Sequence, residues 1–205
     1  MAAAAEPTEG RPAPRRADAR RNVAAILSAA TECLAKNPDT NMAEIAAAAG
    51  VGRMTLYGHF PTRAELVDAV LNRTVAQAHE ALDAVDISGD PRQAVARLVA
   101  GSWQIVDQFR NVLAAAEREL PPDRIRTAHD PVLGRVHALI ERGQQTAAFR
   151  TDLPLSWLTT LALTVMHAAA TEVSAGRMTA EQAPSIVTGT LLAALTAPAD
   201  YAESS

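Results

Sequence analysis

Apolar residues recur at three- and four-residue spacing along most of the chain, and no stretch sustains the alternation of a half-buried strand. Val23, Ile26, Leu27, Ala30, Cys33 and Leu34 mark one face of a first helix, predicted over about 20–36 and closed near Asn37-Pro38. Asn41, followed three residues later by Glu44, is a capping box for a short second helix with Ile45, Ala46 and Ala49 on its apolar side. Gly50 supplies the break and Gly52 a weak cap. A third helix follows from about Arg53 to His59, anchored by Leu56 and Phe60 and stopped by Pro61. Thr62 and Glu65 form a second capping box, which starts a long helix running from Arg63 to about Ala84. Asp90-Pro91 opens a helix to about Arg110, with a short one continuing through Glu119. Pro121-Pro122 interrupts, Asp130-Pro131 opens a helix to about Ala148, and Asp152-Leu153-Pro154 opens another that ends at Gly176. Thr179 and Gln182 cap the last, which stops before Pro198. The pattern predicts an all-α protein of about nine helices.

The third helix presents an unusual set of residues to solvent. Arg53, Met54, Thr55, Tyr57, Gly58 and His59 place a guanidinium, hydroxyl, phenol, imidazole and thioether within two turns. Those groups can donate to phosphate oxygens, read guanine edges and touch a thymine methyl. Two short helices joined by Ala49-Gly50-Val51 have the layout of a helix-turn-helix, whose second helix lies in the DNA major groove. The first turn of the following helix joins free N–H groups to the charge of Arg63, a combination suited to phosphate.

The segment EIAAAAGVGRMTLYGHFPTRAELV resembles the TetR family of bacterial transcriptional regulators, which typically shows EIA–AGVS–GTLY–HF–SKE–L in one fixed register. The helix around Arg21 to Leu34 suits the family's first helix. The resemblance implies a helix-turn-helix domain over 19–62; residues 1–18, rich in Ala, Pro, Glu and Arg, read as a disordered basic tail before it. A larger helical domain over 63–205 would bind ligand and dimerise. It also implies DNA contacts from Thr55, Tyr57, His59 and Arg63. Arg53 and Met54 are candidates for base readout, with plain solvent exposure the alternative. Gly52 stands where the family has a small hydroxyl, Arg53 and Met54 are bulkier than usual, and Arg63 replaces a Lys, keeping the charge but changing its geometry.

Composition refines this picture. The 205 residues can bury a core without disulfides, and abundant Ala with few aromatics favours helix. The single Cys33 gives neither a disulfide framework nor a metal cluster and reads as structural. Net charge is −4, but residues 1–60 hold seven Arg/Lys against six Asp/Glu, and Arg11, Arg15, Arg16, Arg20 and Arg21 precede the first helix. An acidic body with a basic end orients towards a polyanion. The tail arginines could enter a minor groove or stay solvated. No secretory signal is visible, and Pro154, four Thr and His167 disfavour a membrane span over 153–171. The expectation is a soluble cytoplasmic protein.

Residues 153–171 and 183–199 carry no formal charge. A helix apolar or small all round needs cover on more than one side. Gly189, Ala193 and Ala194 permit close approach, while Leu191, Leu192 and Leu195 supply area. A two-fold homodimer through the last two helices would supply that cover and match two half-sites of a palindromic operator; a deeply buried monomeric core is the alternative, and the resemblance favours the dimer. The resemblance further implies an unidentified small-molecule effector, with Trp103, Gln104, Asp107, His137, Trp157, Met166 and His167 as candidate pocket residues. Trp and Met at helical spacing serve a core equally well. Arg124, Arg126 and His129 near a turn suit either an anionic ligand or solvent. His129, Asp130 and His137 form the one close His/acid group outside the first domain, the residues an enzyme would use. No nucleophile elbow, phosphate loop or His-Glu-x-x-His spacing accompanies them, so neither catalysis, cofactor nor metal is expected. The remaining alternative is a helical protein-interaction module.

Overall fold

A computed structural model describes residues 14–197, and these form eight helices without a strand. They are α1 (Pro14–Lys36), α2 (Met42–Ala48), α3 (Arg53–His59), α4 (Arg63–Asp83), α5 (Pro91–Glu119), α6 (Pro122–Gln145), α7 (Leu155–Ser174) and α8 (Ala183–Leu195). Most of the tail expected over 1–18 lies outside the described residues, as do Arg11 and the stretch beyond Ala197. α1 begins at Pro14, earlier than the apolar pattern indicated.

Eight helices replace about nine because one expected break is absent, and a second helix starts earlier than expected. α5 runs unbroken to Glu119, where a separate short helix was expected after Arg110. α6 starts at Pro122 and passes through Pro131, which was expected to open a helix. An interior proline removes one ladder hydrogen bond and clashes with the preceding turn, at a cost of about 3 kcal/mol. Pro131 and Thr127, four residues before it, are both exposed, so the carbonyl left without a partner faces solvent. Ala128 and His129 on the opposite face are buried and hold the helix in place.

Two apolar clusters organise the packing. The first joins Ile26, Leu34, Ile45, Leu56, Phe60 and Leu66 of α1–α4. Val112, Ala115 and Ala116 from the end of α5 and Ala128 of α6 complete it. The second gathers Leu82, Val95, Leu98, Trp103, Leu139, Leu158, Val187 and Leu195 from α4–α8. α4, α5 and α6 belong to both, so the amino-terminal helices are sewn into the body along three long helices. Polar contacts reinforce the seam. Asn111 Nδ2 donates to the Ala35 carbonyl at 2.7 Å. Arg118 pairs with Asp39. Arg124 of α6 pairs with Asp68 of α4 at 2.8 Å and donates to Asn72 Oδ1 at 2.9 Å. Arg124 is therefore a helix clamp, and Arg126 an exposed residue beside Asp123.

Candidate functional site

The short α2 and α3 owe their placement to local chemistry. Asn41 Oδ1 accepts from the N–H groups of Ala43 and Glu44 at 2.9 and 3.0 Å, and Glu44 accepts from the Asn41 N–H at 2.9 Å, closing the capping box. Gly50 takes φ +67°, a left-handed turn that a Cβ would strain. Gly52 caps α3 with extended backbone and no side-chain bond. The second capping box is half-formed: Thr62 Oγ1 accepts from the Glu65 N–H at 3.1 Å, but its hydroxyl turns to the Glu65 carboxylate at 3.2 Å. Leu56 is fully buried and Phe60 nearly so, which fixes the rotation of α3. That rotation leaves Met54 86% and Tyr57 46% exposed, with Arg53 and Gly58 beside them. Thr55 and His59 lie partly covered at the edges of the same face. A large thioether and a phenol in water are expensive in apolar area unless a partner covers them.

Arg63 departs from expectation. Its Nε donates to Glu119 Oε1 at 2.9 Å, its Nη2 to the Pro38 carbonyl at 2.6 Å, and its Nη1 to the Thr40 carbonyl. Instead of pointing at a phosphate, the guanidinium joins the α1–α2 loop to the end of α5. The first turn of α4 sits between these two elements, and the long fork reaches both.

In the body, α4–α8 enclose a cavity of about 130 Å³ whose walls are mostly Leu, Val and Ile. It lies where the two clusters meet, with Leu71 and Val112 at one end and Leu139 and Leu195 at the other. Of the candidate pocket residues, Met166 and His167 line it. Trp103 is a buried core residue outside its walls. Gln104, His137 and Trp157 are exposed, and His137 meets Thr159 Oγ1 at 3.4 Å. Asp107 is held at the rim by Arg110, whose Nη1 donates to its carboxylate at 3.0 Å. Sequence alone does not say which helix face Trp103, Gln104, Asp107, His137 and Trp157 occupy. Their faces depend on how α5, α6 and α7 are rotated about their neighbours.

The polar wall residues are few, and Thr74 and Arg110 were not singled out in the sequence. Thr74 is buried with no partner for its hydroxyl, and Arg110 Nε is likewise buried and unpartnered. A sequence signal does exist: Thr74 interrupts the apolar stripe Leu71, Val75, Ala78 and Leu82 of α4. His129 Nδ1 donates to the Ile125 carbonyl at 2.8 Å, and its ring meets His167 edge-on at 5.6 Å between centroids. Burial, with His129 alongside, pulls the His167 pKa from 6.5 down to about 4, so this imidazole is neutral at pH 7. Asp130 and His137 are exposed and do not join His129. Among the described residues, no group of three or more His, Cys, Asp or Glu is placed to hold a metal ion, and no helix is long and apolar enough to cross a membrane.

Residues 26–70, the whole of α2 and α3 with the packing faces of α1 and α4, match the profile of bacterial regulatory proteins of the tetR family. The amino-terminal domain over these residues is that of the tetR family. A 78-residue stretch is 37% identical to the HTH-type transcriptional repressor LfrR of Mycolicibacterium smegmatis. The aligned part covers 38% of this chain and 41% of that relative, well under its full length. The tetR-family fold extends over the body as well. The solved LfrR structure from Mycobacterium smegmatis, in complex with proflavine, superimposes with TM-score 0.67 at 23% identity, over 87% of this chain and 98% of that one. FadR from Bacillus subtilis with stearoyl-CoA gives 0.69 at 16% identity, over 84% and 98%. RolR with resorcinol gives 0.64 at 21%, over 92% and 94%.

Proposed function

We propose that this chain is a homodimeric, sequence-specific DNA-binding regulator of transcription, a repressor released from a palindromic operator by a small molecule held in the α4–α8 cavity. The observation that carries the DNA reading is the outward face of α3. Arg53, Met54 and Tyr57 stand exposed on a helix whose rotation is fixed by Leu56 and Phe60. Tyr57, Thr55 and His59 serve the phosphate backbone, while Arg53 and Met54 serve base edges. Repression follows the named role of LfrR, and effector control follows the ligands held by the tetR-family structures above. A chromosome-reading role implies the bacterial cytoplasm.

Dimerisation is supported by one charge-free surface. Trp157, Thr160, Thr164 and Ala168 form an exposed stripe on α7, and Ile186, Gly189 and Ala193 another on α8. Nothing lies within 4 Å of where a Gly189 Cβ would stand, which leaves room for a second helix. An isologous pairing there gives two α3 helices for two half-sites.

Selection from random DNA, followed by fluorescence anisotropy at several salt concentrations, tests this reading. A palindromic site with half-sites about one turn apart, and affinity falling steeply with salt, is expected. Tyr57→Ala should weaken all sequences by about tenfold, the worth of roughly one charge-assisted or phosphate hydrogen bond. Arg53→Ala should alter preference at one or two base positions. An unchanged selected motif in Arg53→Ala would remove Arg53 from base readout. Failure to select any site would favour the helical interaction module.

A further inference from the structure

The cavity's walls constrain the chemistry of its occupant, and this inference rests on the ligand-responsive reading above. No carboxylate lines it, and Arg110 is its one formally charged wall residue, already neighboured by Asp107. A cation would therefore enter without a counter-charge, at a high desolvation cost. An anion would meet a guanidinium whose charge is largely answered. Burial in the same walls, with His129 alongside, pulls the His167 pKa down, in keeping with a setting that disfavours charge.

The polar atoms need both a donor and an acceptor. Thr74 is 6% exposed, and its Oγ1 has no partner. Arg110 Nε–H is buried without an acceptor. His129 gives its Nδ1 hydrogen to the Ile125 carbonyl, which leaves Nε2 as the nitrogen with the lone pair. Buried polar groups are ordinarily satisfied, so the Thr74 hydroxyl and the Arg110 Nε–H require an explanation. Thr74, Arg110 and His129 come from α4, α5 and α6 and line one cavity, whose other walls are mostly aliphatic, with Ser102, Phe109, Met166 and His167 among them. A hydroxyl group can accept from Arg110 and Thr74 and donate to His129. At 10–15 Å³ per water-sized group, about 130 Å³ holds about ten such groups.

We propose that the effector is an uncharged lipophile of about ten non-hydrogen atoms carrying one hydroxyl head, such as an alkylphenol, with that head on Thr74, Arg110 and His129. The head then bears on the middle of α4, the helix that leaves the DNA-binding domain.

Isothermal titration of the full-length protein with four compounds of one skeleton tests this: 4-butylphenol, butylbenzene, 4-butylbenzoate and 4-butylbenzylammonium. The phenol should bind tightest, butylbenzene about tenfold weaker, and both ions at least a hundredfold weaker. Thr74→Val should weaken the phenol about tenfold and leave butylbenzene unchanged. Its unliganded melting temperature should hold or rise, since an unpartnered buried hydroxyl is removed. Equal binding of the ammonium or benzoate, equal binding of butylbenzene, a Thr74→Val that binds phenol normally, or no binding by any of the four would each overturn the proposal. Phenol binding with the expected order but no change in DNA affinity would instead leave the ligand class standing and remove the regulatory reading.

Discussion

Exchanging Glu119 for Gln should loosen the joint between the DNA-reading helices and the body without disturbing either core. Glu119 and Arg63 meet at 2.9 Å with side chains 30% and 23% exposed. At an effective dielectric of about 20, unit charges at this separation attract by about 6 kcal/mol before desolvation. Desolvation and side-chain ordering cancel most of that, and exposed pairs retain only about 0–1 kcal/mol. Partial burial and a direct Nε–H···O bond place this pair at about 1–2 kcal/mol. Glu119→Gln keeps an acceptor and loses the charge, for about 1 kcal/mol. Arg63→Gln also strands the Thr40 and Pro38 carbonyls, for about 2–3 kcal/mol. Urea unfolding of both single variants and the double variant isolates the pair term as a coupling of about 1 kcal/mol. A coupling below about 0.3 kcal/mol would refute the claim that Arg63 acts through Glu119. An Arg63→Gln variant with unchanged stability but lost DNA affinity would return Arg63 to a phosphate.

Three other outcomes are open to measurement. A Cβ at Gly143 would overlap the Phe149 ring, so Gly143→Ala should destabilise by about 1–3 kcal/mol, and adding Phe149→Leu should recover part of it in the same urea assay. His167 titrates at 6.5 unfolded and about 4 folded, so the unfolded chain binds more protons between those values. Its contribution is complete above about pH 6.5 and lost as pH falls towards 4, up to about 3 kcal/mol. His167→Gln should flatten that part of the stability profile, and an unchanged slope would mean His167 is not held neutral by burial. Ile186→Asp puts two carboxylates into the α8 stripe of a two-fold dimer and should yield a monomer by sedimentation, with loss of operator binding. A dimer of wild-type strength would place the interface elsewhere.

The reading segment was legible because its determinants are local. The Asn41–Glu44 box, the Gly50 turn and the Leu56–Phe60 spacing each act within a few residues, and each appears in the structure. The helical class was equally local, being set by periodicity and by abundant Ala. Helix number was less so. Pro131 and the stretch near Arg110 looked like ends, but packing of α5 and α6 against α4 offsets the local cost of continuing.

Side-chain destination was decided by tertiary structure alone. Arg63 has a phosphate-suited position in sequence, but Glu119 lies 56 residues away and takes its guanidinium. Trp103 and Gln104 are adjacent, but the rotation of α5 sends one into the core and the other into water. Thr74, Arg110 and His129 are far apart along the chain, and only the meeting of α4, α5 and α6 brings these three ordinary residues to the walls of one largely apolar cavity. Sequence fixes what depends on neighbours three or four residues away. Which polar atom is left without a partner depends on the packing of whole helices.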